Sequence, residues 1–230
     1  PNVVTPKYLS NWAIESGKKY GFEVETLGFE ASEKVGLHSF LSVGKGSQNE
    51  PQFVIMNYVP ENSNDKTKHV GLVGKGITFD TGGYALKPAA GMEAMKSDMS
   101  GAAAVCGAAI AIAVLKLPIA IDAWAPLAEN MVSDHATRPS DIITIYGGKT
   151  VEVLNPDAEG RLILADALVR AQESKDLDGI VDVATLTGAQ VVALGTRTSA
   201  VMTNSAEFSS HFMDVTRETG EAFWPMPLPV

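Results

Sequence analysis

The sequence predicts an α/β domain built on a largely parallel central sheet. Three observations point there. Short apolar segments rich in valine and isoleucine alternate with helical segments along the chain. The 230 residues are 45% hydrophobic and 20% charged, enough apolar matter for a globular core. Two polar, glycine-bearing clusters directly follow predicted strands, and ligands in such sheets bind beyond the carboxyl ends of strands.

Taken in order, Thr5 and Pro6 read as an N-cap and a first-turn proline, predicting a helix to about Lys19 that stops near Gly21. FEVETLGF reads as a strand, and PQFVIMNYV and HVGLVG as two buried strands separated by a polar hairpin turn or surface loop, ENSNDKTK. Residues 74–100 read as one long glycine-rich loop. The small residues of GAAAVCGAAIAIAVLKL predict a helix packed close against the sheet, followed by a buried strand, PIAIDAWAPLAE. TVEVLNPDAEG reads as a strand running into a turn, RLILADALVRAQES as an amphipathic helix and GIVDVATL as a strand. TGAQVVALG predicts a short helix, SAVMTN a strand and SAEFSSHFMDVTRETG a last amphipathic helix, whereas FWPMPLPV reads as neither helix nor strand.

Composition narrows the function. The net charge of −9 argues against general nucleic-acid binding. The single Cys106 leaves no internal disulfide and no cysteine-based zinc site, pointing to a reducing, cytoplasmic compartment. No run approaches the length of a membrane span, no membrane partner is expected, and the first residues lack the pattern of a signal peptide.

The chemistry concentrates in GKGITFDTGGYALKPAAGMEAMKSDMSG (74–101) and NPDAEGRL (155–162). Together they hold four carboxylates, Asp80, Asp98, Asp157 and Glu159, with Lys75, Lys87 and Arg161. Carboxylates massed alone repel and raise one another's pKa; two divalent cations make the crowding favourable. Such a pair activates a water and polarises a carbonyl. Asp157 and Glu159, two apart, face one side if the backbone there is extended, and the glycine after them lets the chain turn into a helix. A lysine beside the ions either ligates as a neutral amine or, kept charged, stabilises an oxyanion; an arginine is a fixed cation for a carboxylate-like anion.

These motifs resemble the catalytic domain of the leucyl aminopeptidase (cytosol aminopeptidase) family of dimetal exopeptidases. The family's NTDAEGRL stands here as NPDAEGRL, and its Lys-Gly-x-x-x-Asp-x-Gly-Gly motif as Lys75 to Gly83, with Lys87 and Asp98 downstream. Steps of five, seven, eleven, fifty-nine, two and two residues separate Lys75, Asp80, Lys87, Asp98, Asp157, Glu159 and Arg161. ENM and RPSDI (129–142) and DVATLTGA (182–189) are also similar to family segments.

The resemblance implies a three-layer α/β/α domain with a mixed, largely parallel central sheet. It implies that 1–230 is the catalytic domain, continuing past Val230, with the family's N-terminal domain outside it. The implied activity is removal of leucine and similar N-terminal residues from short peptides by a two-metal-activated water. The ions would be Zn²⁺ or Mn²⁺, with Mg²⁺ or Co²⁺ also possible. Asp80 and Glu159 would bridge them, Asp157 would serve one, and Lys75 and Asp98 the other. Lys87 would stabilise the oxyanion, and Arg161 would position a bicarbonate acting as general base. Asp98 and Lys87 would also meet the substrate, as would Asn155, Thr185, Leu186, Thr187 and Gly188. The intact protein would be a cytoplasmic homohexamer.

Pro156 departs from the family's usual threonine; it pushes Asn155 toward extended backbone, which suits a strand end. Taken singly, the residues have plainer roles: Asp98 as a helix cap, Asp157 and Glu159 as helix N-terminal charges. His38, His69, His135 and His211 show no ligand spacing. Two other functions compete. One is a metal-stabilised scaffold or regulator without catalysis. The other is nucleotide binding through GGKT (147–150), where the full phosphate-loop pattern needs a glycine at Ile143.

Overall fold

The structure, a computed structural model, describes residues 1–228. The chain divides into two compact units, Pro1–Thr185 and a shorter one beginning at Leu186.

The first unit opens with α1 (Pro6–Tyr20), bounded as its sequence directs. The extended Thr5 accepts from the Tyr8 N–H, and Gly21 closes the helix in the left-handed region. Then come β1 (Glu23–Leu27), α2 (Phe29–Val35), α3 (His38–Gly44), β2 (Gln52–Tyr58) and β3 (Lys68–Gly74). β4 (Gly76–Asp80), a 3-10 turn over Met92–Ser97, α4 (Ser100–Val114) and β5 (Ile119–Asn130) follow. The unit ends with β6 (Asp141–Thr144), β7 (Thr150–Val153), a 3-10 turn over Pro156–Ala158, α5 (Glu159–Ala171) and β8 (Gly179–Val183).

Strand order in the central sheet is β1-β2-β5-β3-β8, with β4 on β5 as well. The twelve residues of β5 form its spine. β3 pairs with the first half of β5 (Lys68 to Ile119, Val73 to Trp124) and β4 with the second (Gly76 to Leu127, Asp80 to Asn130), both parallel. β8 joins β3 in parallel, while β1 and β2 run antiparallel, so the sheet is mixed.

Alternation along the strands makes two cores. Phe53 and Ile55 of β2, Val73, and Trp124 of β5 face α3 and α5, beside Phe40, Leu162 and Ile163. Val54, Met56, Ile121, Ala123 and Ala125 face α1 and α4, against Ala13, Ala102, Val105 and Ala109. Helices on both faces give the three-layer α/β/α architecture. Phe40 and Phe53, both fully buried and edge to face at 5.5 Å, each contribute about 2–3 kcal/mol by burial.

Four expectations are corrected. The loop at 74–100 contains β4 and a 3-10 turn, because the carboxyl half of β5 offers open edge beyond the reach of β3. Of the two readings of ENSNDKTK, the surface loop is the one formed, since β5 lies between β2 and β3 and no hairpin joins them. TVEV leaves the sheet and pairs as an antiparallel hairpin with β6. Phe29 starts α2 instead of extending the strand. The stretch Met92–Val114 is long and apolar enough, by length and composition, to cross a membrane. It packs the alanine face of α4 on the sheet instead, and its first turns carry Glu93, Lys96 and Asp98.

Asp166 of α5 is fully buried and pins two elements to that helix. Its carboxylate oxygens accept from the backbone N–H groups of Phe40 in α3 and Tyr146 in the β6–β7 turn, each at 2.8 Å. Burial raises its pKa, and these backbone donors oppose the rise. Asparagine offers one acceptor where two are needed. Asp166→Asn is therefore expected to cost about 1–2 kcal/mol in denaturant unfolding.

The second unit holds α6 (Gly188–Leu194), β9 (Ser199–Val201), α7 (Ala206–Thr219) and β10 (Phe223–Pro225). Ser205 caps α7 by accepting from the Phe208 N–H. Phe212 of α7 stacks on Phe208 at 5.8 Å and meets Phe223 edge-on at 5.1 Å. β10 corrects the reading of FWPMPLPV: its first three residues pair in parallel with β9.

Candidate metal centre

Parallel strands deliver part of the site by their carboxyl ends. Asp80 closes β4, Asn130 closes β5, and Thr185 stands two residues past β8. Lys75 sits at the break between β3 and β4. Its N–H donates to the Val183 carbonyl (3.0 Å), and its carbonyl accepts from the Ala102 N–H (2.8 Å), fixing it between β8 and α4. Asp98 ends the 3-10 turn before α4. It is not the N-cap of α4: Met99 occupies that position, and Asp98 accepts from the Thr185 hydroxyl at 2.7 Å.

The second stretch arrives differently from the expectation. Asn155 is extended at φ −136°, ψ 103°, as a residue before proline should be, and its side chain accepts from the Asp157 N–H at 2.9 Å. Pro156 then opens a 3-10 turn, where its missing N–H costs nothing, and Glu159 is the first residue of α5. Asp157 and Glu159 thus converge through a tight helical turn and not an extended backbone. Gly160 lies inside α5 and makes no turn. A Cβ there would stand 2.7–2.9 Å from the Lys75 side chain, so its absence makes room for that lysine.

The charged groups interlock. Lys75 Nζ lies 2.9 Å from Asp98 and 2.8 Å from Glu159, and donates to the Thr185 carbonyl at 2.7 Å. Lys87 Nζ lies 2.9 Å from Asp80 and 2.5 Å from Asp157. One oxygen each of Asp80, Asp157 and Glu159 fall within 4.8 Å of one another. Lys75, Asp80, Asp98 and Glu159 are at most 6% exposed, whereas the Lys87 side chain keeps 23% of its surface open.

Burial works to lower the pKa of both lysines, but their carboxylate partners outweigh it and raise them. Burial lifts Asp98 despite Lys75 and Thr185. It pushes Glu159 up to about 7, against the pull of Lys75 and with added repulsion from Asp80.

The donor set fits divalent cations. Four carboxylates face two ammonium groups, so negative charge is left over in a largely buried space. Asp98 Oδ2, Asp157 Oδ1 and Glu159 Oε2 are buried without a hydrogen-bond partner. The first two touch lysine ammoniums at ion-pair distance but without hydrogen-bond direction; no such contact is found for Glu159 Oε2. A buried cluster of carboxylates with an unsatisfied oxygen is a donor set that suits hard dications.

Not every expected site residue joins this cluster. Arg161 is exposed, and among the described residues it forms no ion pair. Leu186, Thr187 and Gly188 belong to the second unit, where the Thr187 side chain caps α6 by accepting from the Ala189 N–H. Sequence reasoning gave no role to Asn130, although it lies in the ENM segment, and misread Gly160. Its only available signal for either was proximity to the motifs.

The chain is 50% identical over 229 residues to a probable cytosol aminopeptidase of Streptomyces griseus, covering 100% of this chain and 44% of the relative. It is 49% identical over 227 residues to a probable cytosol aminopeptidase of Chlorobium limicola, covering 99% and 45%. Among solved structures, a bottromycin maturation enzyme, BotP in complex with Mn, superposes with a TM-score of 0.94 at 39% identity, over 100% of this chain and 50% of that one. The chain therefore spans about half the length of the curated relatives it matches. The model of the cytosol aminopeptidase family, catalytic domain, matches residues 1–230, and this chain belongs to that family.

Proposed function

We propose that the protein is a metal-dependent aminopeptidase that removes leucine and similar residues from the free N-terminus of short peptides. The observation that carries this is the buried acid cluster, in which one oxygen each of Asp80, Asp157 and Glu159 lie within 4.8 Å of one another, with Glu159 Oε2 left without a partner and Asp98 and two lysines alongside. Asp80, Asp98, Asp157, Glu159 and Lys75 would hold two divalent ions. Mn²⁺ is the first choice, by likeness to the manganese complex of the solved relative, and Zn²⁺ the second. Such ions supply Lewis acidity toward the peptide carbonyl and a water nucleophilic at neutral pH.

The chain's own groups divide the remaining work. Lys87, kept charged by Asp80 and Asp157 and partly open, presents an ammonium to the oxygen that gains charge. Lys75, enclosed by Asp98, Glu159 and the Thr185 carbonyl, would join the ions as a neutral amine once a cation takes over the charge of those carboxylates. Asp98 offers a carboxylate to the substrate's α-amine, which accounts for a requirement for an unblocked N-terminus. Arg161, exposed and cationic, suits a small anion such as bicarbonate acting as base. Asn155, Thr185 and the residues that follow it in sequence, Leu186, Thr187 and Gly188, are assigned to peptide contact. A cytoplasmic homohexamer is the assembly we propose for the intact protein.

The test is turnover of leucine p-nitroanilide by the intact protein with added Mn²⁺ or Zn²⁺, its loss on chelation, and no cleavage of the N-acetylated substrate. Absence of turnover under every metal tried, or equal cleavage of the blocked substrate, overturns the proposal.

A further inference from the structure

We infer that Asn130 is a positioning residue for the metal centre, its side-chain amide clamping the two acid-bearing stretches together and aiming the Asp80 carboxylate. This rests on the metal-centre reading above and adds to it a residue outside the motif.

Asn130 is the last residue of β5, the Cα partner of Asp80, and 6% exposed. Its backbone carbonyl accepts from the Thr81 N–H (3.0 Å) and the Thr81 hydroxyl (2.9 Å), which seats the loop after Asp80. Its Nδ2 donates in two directions, to Asp80 Oδ1 at 2.8 Å and to the Pro156 carbonyl at 3.1 Å. One side chain thus ties the first stretch to the backbone between Asn155 and Asp157 in the second.

The clamp sets the direction of Asp80. The Gly82 N–H also donates to Asp80 Oδ1, at 2.8 Å, so that oxygen holds two donors and Oδ2 is left to face Lys87 at 2.9 Å. The amide has one sensible orientation. Reversed, its oxygen would meet the Asp80 carboxylate and the Pro156 carbonyl, acceptors both. The two loops are also pressed together: a Cβ on Gly82 would lie 2.9 Å from Asp157 Oδ1, and one on Gly83 3.1 Å from Asn130 Oδ1 and from Pro156 Cβ. With so little slack, the amide fixes the separation of Asp80 from Asp157. Outer-sphere hydrogen bonds of this kind orient ligand carboxylates.

The probe is Mn²⁺, titrated calorimetrically into the chelator-treated intact protein. Asn130→Ala is expected to weaken Mn²⁺ binding about 10–100-fold, and Asn130→Asp at least as much, because its carboxylate faces two acceptors. In the Mn²⁺-loaded protein kcat falls while KM for leucine p-nitroanilide stays within about threefold, since Asn130 acts through Asp80. Val105→Ala, on the buried face of α4, lowers the melting temperature by a comparable step and leaves Mn²⁺ affinity unmoved. If Asn130→Ala does not fold, Asn130→Ser carries the same expectation. Mn²⁺ affinity within about twofold of wild type in the folded Asn130 variants overturns the inference and leaves the metal centre standing. A wild-type protein that binds no Mn²⁺ or Zn²⁺ overturns the metal-centre reading and this inference with it.

Discussion

Glu159→Gln is expected to abolish peptide turnover and Mn²⁺ binding while the protein still folds. The side chain is 2% exposed, and its two oxygens have different surroundings. Oε1 lies 2.8 Å from Lys75; Oε2 is buried with no hydrogen-bond partner, and one of the two oxygens falls within 4.8 Å of oxygens of Asp80 and Asp157. Glutamine keeps the shape but removes the charge, and its amide group must either face the Lys75 ammonium or take the place of the free oxygen. In neither orientation does a shared anionic ligand remain. The expected loss in kcat/KM is on the order of 10³-fold or more, about 4 kcal/mol of barrier. Stability moves the other way under chelator. Burial lifts the Glu159 pKa from 4.5 to about 7, so this carboxyl's stabilising contribution is complete below pH 4.5 and lost as pH rises to 7. Wild type should lose up to about 3 kcal/mol across that window, and the variant should keep it. Turnover comparable to wild type, with metal bound, would sink the assignment of Glu159 as a ligand.

The sequence exposed the centre's membership better than its architecture. Lys75, Asp80, Lys87, Asp98, Asp157 and Glu159 stand at fixed steps in two short stretches, and the structure draws them into one interlocked cluster. Local signals were equally legible where the physics is local. Thr5, Pro6 and Gly21 delimit α1 by capping chemistry that needs no tertiary partner. What escaped depends on contacts distant in sequence. Periodicity could not show β4, because five residues among glycines become a strand only when the far half of β5 supplies an edge. Nor could it show that TVEV pairs with Asp141–Thr144 instead of entering the sheet. Asn130 looks like any strand-end asparagine until Pro156, 26 residues away, is seen at its amide.

Glycine at 101 illustrates the same limit, and its replacement should do the most damage to the fold. In Gly101→Ala, the added Cβ would stand 2.0 Å from the Val183 carbonyl oxygen, 2.8 Å from its carbon and 2.9 Å from the Lys75 nitrogen. All three are backbone atoms of β8 and of the β3–β4 break, so no side-chain rotation relieves the overlap. Across the joint, a Cβ on Gly74 would come within 2.6 Å of Ala102 Cα, so α4 starts in direct contact with the strand ends. To admit a methyl group, α4 must back away. That breaks the bond from the Ala102 N–H to the Lys75 carbonyl and shifts Asp98, which lies three residues upstream. The expected cost is about 3 kcal/mol or more, a fall of roughly 10 °C in melting temperature, with metal affinity lost in parallel. Gly107→Ala supplies the contrast. It lies in the same helix with nothing within 4 Å of the added carbon, so the better helix former should raise stability by about 0.5–1 kcal/mol. Calorimetric melting of both variants reads the difference directly. Equal and small effects at the two glycines would show that the junction of α4 with Lys75 and Val183 is looser than its geometry requires.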